Sequence, residues 1–316
     1  MSKSTPFFKD VSVDGKKENR RKILIIAGVH GNEHNAVLAA YRVYKSLADA
    51  TAPEFKNEND IRFLLGVNKW GLLTNKREFG NRTDIHPDPI QKDKPVDFNR
   101  VFTMDHVSPG NEDATAVRDI VQNAIEAADI VIDVHNSPAI ANMVLLNNDE
   151  YTESTIKFFN ECHMENNYMV WESQTNTIKK YAIDHGKVEF TVELGGMTLG
   201  GMEDGDIINN QYSFLKSFTS WIDQFMPKFE KGARLTPDKL AMPIYAHAYG
   251  LIDTVDFHRS APMKKGDVCA TMITDSDNPE DAEFKAPCDG FLVACEDHRV
   301  VKPGDEIFTW QPVAKV

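Results

Sequence analysis

Two histidines and two glutamates in this sequence have the types and spacing of a metal-ligand set with a neighbouring carboxylate. His30 and Glu33 lie three residues apart in GVHGNE, so a tight glycine turn after a strand turns an imidazole and a carboxylate into one site. His135 follows the apolar run DIVIDV and Glu193 follows VEFTV. In open α/β sheets the functional crevice lies beyond the carboxyl ends of the strands, so three strands deliver all four groups to one edge. A His2Glu set on zinc leaves a coordination position for water, and a further carboxylate takes that water's proton. His30, Glu33 and His135 suit the ligand role, and Glu193 suits the base. Asp133, two residues before His135, faces the same side of its strand and reads equally as an orienter of a ligand or as a turn-capping aspartate. Asn99 and Arg100, in VDFNRVF, pair an amide with a guanidinium able to grip a carboxylate bidentately, the bland alternative being a surface arginine.

The elements that must position these groups alternate. Lys22 to Val29 reads as a buried parallel strand, with a helix from Glu33 to Leu47 directly after it. Ile61 to Val67 is a second strand, and Asn68 to Asn99 is polar, aperiodic and rich in Pro, Asp and Asn, a long functional loop or lid. A helix over Asn111 to Ala128 and a strand over Asp129 to Val134 follow; then come a strand at Met143 to Leu146, a helix at Tyr151 to Glu165 and a strand at Val188 to Val192. Asp206 is placed to cap a last helix running to Phe225. The expected fold is α/β, a mostly parallel sheet with helices on both faces. Composition changes at Pro227 to Pro237, which places a boundary between a domain over 1–230 and a small all-β sandwich or barrel over 231–316. That second part repeats a Gly-Asp turn at Gly266 and Gly304. Its phrase APCDGFLV resembles biotinyl and lipoyl carrier domains, but DSDNPEDAEF fills the region where they carry a lysine, so an attached cofactor is not expected.

The 316 residues carry 35 basic and 48 acidic side chains, a net charge of −13 that repels nucleic-acid phosphates and anionic lipid. No local basic patch offsets it. The longest apolar run, Ile23 to Val29, is far below the roughly 18 residues of a membrane span. The N-terminus lacks a secretory apolar core, so a cytoplasmic location is expected. Cys162, Cys269, Cys288 and Cys295 show no CxxC spacing and read as reduced packing residues.

HGNE, DFNRVF, DVHNS and VELGG, in this order across roughly Ile23 to Gly196, resemble the succinylglutamate desuccinylase/aspartoacylase family of zinc carboxypeptidase-like hydrolases, which also carries a small β-rich domain after the catalytic one. The resemblance implies one zinc per chain on His30, Glu33 and His135, with Glu193 as base and later proton donor. It implies that Asn99 and Arg100 bind the substrate carboxylate and that the Asn136 amide lines the pocket. The implied reaction cleaves the amide bond of a small N-acylated amino acid. Relatives place a carbonyl-polarising arginine eight residues before the arginine of the Asn-Arg pair, where this chain has Lys92; Arg77 and Arg82, earlier in the loop, are substitutes. Aspartoacylase also reads a second substrate carboxylate with an arginine ahead of its glutamate. This chain has none between Arg118 and Arg234, only Lys179, Lys180 and Lys187 close by. Neither N-acetylaspartate nor N-succinylglutamate is therefore specified. The alternatives are a zinc carboxypeptidase acting on peptides and a non-catalytic zinc-containing binding protein. A homo-oligomer is compatible with the sequence, and neither a nucleic-acid nor a membrane partner is expected.

Overall fold

The structure, a computed structural model, describes residues 7, 9–49, 55–79, 96–104, 112–137, 142–147, 153–162, 164, 167–171, 174–195, 205–225, 242–255, 263–274, 282–295 and 300–312. The chain forms two compact units. The first comprises Met1–Asn136, Ser173–Leu194 and Glu203–Phe229; the second comprises Ser137–Glu172, Gly195–Met202 and Glu230–Val316.

In the first unit five strands lie in the order β1 (Lys9–Val13), β3 (Asp60–Leu65), β2 (Lys22–Ala27), β4 (Ile130–Asn136), β7 (Val188–Leu194). β2 pairs in parallel with both β3 and β4, and β4 pairs in parallel with β7. β1 adds an antiparallel edge that the sequence reading lacked. Its half-exposed alternation of charged and small residues gives no core signal. Five of the six residues of β2 are buried, as a strand covered on both faces requires.

One face packs against α3 (Glu112–Ala127) and α5 (Ile178–Asp184), where Leu24, Ile26, Leu64 and Val131 meet Val117, Val121, Ile178 and Ala182. The other packs against α1 (His34–Ala48) and α6 (Gly205–Phe225), through the Tyr44–Phe63 and Phe190–Phe218 ring contacts. Ser46 Oγ lies 2.6 Å from Tyr212 Oη, and Arg42 donates to Asn209 at 3.0 Å, so α1 and α6 are joined side by side. Asp223 of α6, fully buried, accepts from the backbone N–H groups of Glu58 and Asn59 at 3.1 and 3.0 Å and pins the entry to β3.

Besides β1, three elements differ from the sequence expectation. α2 (Lys69–Thr74) occupies the start of the stretch read as a loop: the Asn68 side chain accepts from Gly71 N at 2.9 Å, and Asn75 ends the helix in the left-handed region. β6 (Tyr168–Trp171) and α5 were missed. All three are too short to display a period. Asp206 falls inside α6, which begins at Gly205. The remaining elements of the second unit's α/β part are β5 (Met143–Asn147), parallel to β6, and α4 (Glu153–Glu161).

The C-terminal strands form two antiparallel sheets. One has the order β11 (Glu283–Lys285), β10 (Val268–Thr274), β9 (Gly250–Val255), β13 (Val300–Val301); the other runs β12 (Gly290–Cys295), β14 (Glu306–Pro312), β8 (Met242–Tyr245). Both feed one core of Cys269, Ala270, Met272, Phe284, Val301, Ile307, Phe308 and Trp310. The repeated turns make the same pair of backbone bonds. Gly266 N donates to Ala286 O and Ala286 N to Asp267 O, while Gly304 N donates to Ala246 O and Ala246 N to Asp305 O. Each turn thus ties the start of one strand, β10 or β14, to the end of its sheet neighbour, β11 or β8. The DSDNPED segment, 275–281, lies outside the described residues.

Candidate active site

The turn after β2 begins the site. Glu33 N donates to His30 O at 3.3 Å, which stacks the two side chains three residues apart. Gly31 is obligatory at this turn, because a Cβ there would lie 2.2 Å from the Gly71 backbone of α2. Gly31 N also donates to Arg77 O at 3.1 Å, so α2 and the chain leading to Arg77 are packed directly on the His30 turn.

His30 Nδ1 lies 2.7 Å from Glu33 Oε1, His135 Nδ1 lies 3.0 Å from Glu33 Oε2, and the two Nδ1 atoms face each other at 3.2 Å. All three side chains are buried. Either imidazole could donate to the Glu33 carboxylate, but both ring nitrogens and the carboxylate are turned onto one point, as ligands of a single cation are. Donor atoms held tetrahedrally at zinc–nitrogen and zinc–oxygen distances stand about 3.3 Å apart, close to these separations. The donor set therefore fits a zinc ion.

The outer ring nitrogens complete that pattern. His135 Nε2 lies 2.9 Å from Asp133 Oδ2, a contact at which a carboxylate can fix the ring's tautomer. His30 Nε2 stands 3.3 Å from Asp97 Oδ1, an ion-pair separation without hydrogen-bond alignment. Asp97 was missed in the sequence, although it opens the same DFNR phrase. Its carboxylate also accepts from Asn99 N at 3.0 Å, capping the 3-10 turn Phe98–Arg100.

Glu193 is the register partner of His135 on the adjacent strand. Alternation along β4 and β7 puts Asp133, His135, Thr191 and Glu193 on the face covered by α3 and α5, the face to which Val131 belongs. Burial, reinforced by the negative charge of Glu33 and opposed by His135, raises the Glu193 pKa. Burial also opposes ionisation of Glu33, but the two imidazoles, His135 foremost, overcome it and hold Glu33 at about 2. Two neighbouring carboxylates are thus pushed apart, one toward permanent charge and one toward proton exchange.

Arg77 and Asp97 are brought together because Phe79 and Val96 form an antiparallel bridge that closes the excursion between them. Arg77 Nη1 lies 3.7 Å from Glu33 Oε1, and its Nη2 lies 3.5 Å from Asp97 Oδ2. Arg82 and Lys92, the other cations considered, lie outside the described residues. Arg100 is partly exposed and donates to Asn99 O at 2.8 Å. Asn99 is buried, with Nδ2 3.4 Å from His135 Nε2 and Oδ1 accepting from Ile178 N at 3.0 Å.

Asn136 is engaged at both ends. Its Oδ1 accepts from Ala36 N and its Nδ2 donates to Leu194 O at 3.2 Å, so it ties the first turn of α1 to the ends of β4 and β7. These three elements flank or carry Glu33, His135 and Glu193. The lysines near β7 serve the fold. Lys179 pairs with buried Glu189 at 2.8 Å, Lys180 with Asp184 at 2.6 Å, and Lys187 donates to Glu126 O and Ala128 O.

No curated protein matches the sequence. Solved structures share the fold. The succinylglutamate desuccinylase/aspartoacylase from Rhodobacter sphaeroides is 16% identical with a TM-score of 0.65, covering 97% of this chain and 89% of that one. The product-bound ectoine utilization protein EutE (DoeB) from Ruegeria pomeroyi is 17% identical with a TM-score of 0.61, covering 96% and 88%. A succinylglutamate desuccinylase from Silicibacter sp. TM1040 is 16% identical with a TM-score of 0.59, covering 96% and 88%. The sequence profile of the succinylglutamate desuccinylase/aspartoacylase catalytic domain matches residues 19–221, which takes in every residue of the cluster built above. On that match the chain belongs to the succinylglutamate desuccinylase/aspartoacylase family.

Proposed function

We propose that the chain is a zinc-dependent amidohydrolase that cleaves the carbon–nitrogen bond of a small N-acylated amino acid, releasing a carboxylic acid and a free amine. The observation that carries this reading is the convergence of both Nδ1 atoms and the Glu33 carboxylate beside Glu193, the register partner of His135. A zinc ion on His30, Glu33 and His135 would supply Lewis acidity, drawing the pKa of the attacking water toward about 7 and polarising the scissile carbonyl.

Glu193 accepts a proton from the attacking water and returns it to the leaving nitrogen, a task suited to a carboxylate whose pKa is raised by burial. Arg77 holds the negative charge that develops on the carbonyl oxygen, since its guanidinium reaches both Glu33 and Asp97. Asp133 keeps the His135 imidazole oriented, and Asp97 sets a negative charge beside the outer nitrogen of His30. Arg100, with an N–H of Asn99, grips the free carboxylate of the substrate. The assignment of 1–230 to the hydrolase and 231–316 to a separate small β domain is part of the proposal, as is a cytoplasmic location; among the described residues no helix is long and apolar enough to cross a membrane.

The test is a panel of N-acetyl, N-succinyl and longer N-acyl amino acids beside dipeptides, read by released primary amine on zinc-loaded protein. Turnover of N-acyl amino acids supports the reading, and Arg100→Lys should then lose most of that turnover while sparing analogues whose carboxylate is amidated. Cleavage of the peptides alone would assign a carboxypeptidase instead. Binding without turnover of any amide would assign a non-catalytic protein.

A further inference from the structure

We infer that Asn176 is a positioning residue for the Asn99–Arg100 pair, joining the start of α5 to the segment 97–104 and so deciding which end of the Asn99 amide faces His135. The inference rests on the proposed reading that this pair binds the substrate carboxylate.

Asn176 has φ +63°, the left-handed region that side chains other than glycine rarely occupy and that asparagine tolerates best. A backbone held there needs a compensating gain. The gain is a clasp between segments more than 70 residues apart in sequence. Phe102 N donates to Asn176 O at 2.9 Å, and the Thr103 hydroxyl donates to Asn176 Oδ1. Immediately after, Thr177 Oγ1 accepts from Lys180 N at 3.1 Å and starts α5.

The first N–H groups of a helix have no partner inside it. Here Ile178 N spends its hydrogen on Asn99 Oδ1, at 3.0 Å. An amide is nearly symmetric in shape but not in polarity, so this one bond sets its orientation. With Oδ1 held by Ile178, the NH2 end is the end turned to His135, 3.4 Å from Nε2. That ring nitrogen is 2.9 Å from Asp133 Oδ2 and donates to it, so it cannot also accept from Asn99, and the Asn99 hydrogens are left as donors for an anion. Arg100 inherits the placement, because its Nη1 donates to Asn99 O at 2.8 Å. If Asn176 leaves its conformation, the segment 97–104 loses its hold on α5, and the donors that meet the carboxylate shift together.

The experiment compares zinc-loaded wild type with Asn176→Gly, which keeps the left-handed backbone, and Asn176→Ala, which loses the amide and is strained there. On an N-acetyl amino acid that the wild type hydrolyses, Asn176→Ala should raise KM about tenfold, with kcat changed less than about threefold. Asn176→Gly should sit between it and wild type. Zinc stoichiometry should stay at the wild-type level, and kcat/KM for the carboxamide analogue should stay within about twofold. Hydrogen exchange by mass spectrometry supplies a readout independent of activity: peptides containing Phe102 and Ile178 should exchange faster in Asn176→Ala, and the Ile178 peptide also in Asn99→Ala.

Equal losses on the carboxylate and carboxamide substrates would overturn the inference, as would unchanged exchange at Phe102 and Ile178. If the wild type hydrolyses no N-acyl amino acid, the functional reading fails, and the exchange comparison alone then decides whether Asn176 sets Asn99.

Discussion

His135 and Glu193 face each other as register partners on the parallel strands β4 and β7, with Asn136 bonded to Leu194 O one residue further along. Neighbouring strands stand about 4.8 Å apart, so a ligand and a base placed opposite each other are close enough to act on one water molecule. Their separation is set by the sheet ladder rather than by a loop, which makes it rigid.

The metal assignment predicts that protein purified without chelator carries one zinc per chain and that His135→Ala does not. His185→Ala, whose ring is stacked on Tyr181 and accounted for there, should retain full zinc. Asp133→Asn should keep the ligands but weaken zinc affinity about 10- to 100-fold, because His135 loses the carboxylate that orients it. Elemental analysis and zinc competition measure both, and a fully loaded His135→Ala protein would sink the ligand set.

The base assignment predicts a separation of metal content from turnover. Glu193→Gln preserves size and hydrogen-bonding capacity but cannot take a proton, so zinc should persist while kcat falls by about two or more orders of magnitude. Near-normal turnover would move the base to another residue.

The cation that holds the carbonyl oxygen is tested by three substitutions made side by side. Arg77→Lys should lower kcat about 100-fold with zinc retained, the usual weight of one transition-state donor. Arg82→Lys and Lys92→Ala should each cost far less. A steep loss in Lys92→Ala with Arg77→Lys nearly intact would transfer the role to Lys92.

The ion pair between Lys179 and Glu189 predicts a stability effect without a ligand. Both residues are buried, and Thr191 Oγ1 donates to the other carboxylate oxygen at 2.8 Å. Lys179→Met removes the ammonium and leaves the buried carboxylate without its countercharge, which should cost about 3–5 kcal/mol in urea unfolding. Adding Glu189→Leu should recover a large part of that loss, since two apolar side chains replace the pair. A double variant no more stable than the single one would show that Glu189 holds other contacts of equal weight.

Much of this protein was legible in the order of its residues, because local rules govern it. The Ile-rich run before Gly28, the helical spacing through α1 and the apolar run before His135 each announce an element by its own period, and strand ends carry His30, Glu33, His135 and Glu193 to one edge. Short elements escaped for the same reason: α2, α5 and β6 are below the length at which a period appears, and β1 is an edge strand with no buried side. What only the tertiary structure decided is which groups share a contact across the chain. Asp97 meets His30 because Phe79 pairs with Val96, Asn99 is turned by the N–H of Ile178, and Lys179, which the sequence offered as a cation near the site, is committed to Glu189. No spacing encodes such partners. They follow from strand register and helix packing, in which each buried polar group must find its mate among residues that sequence distance does not predict.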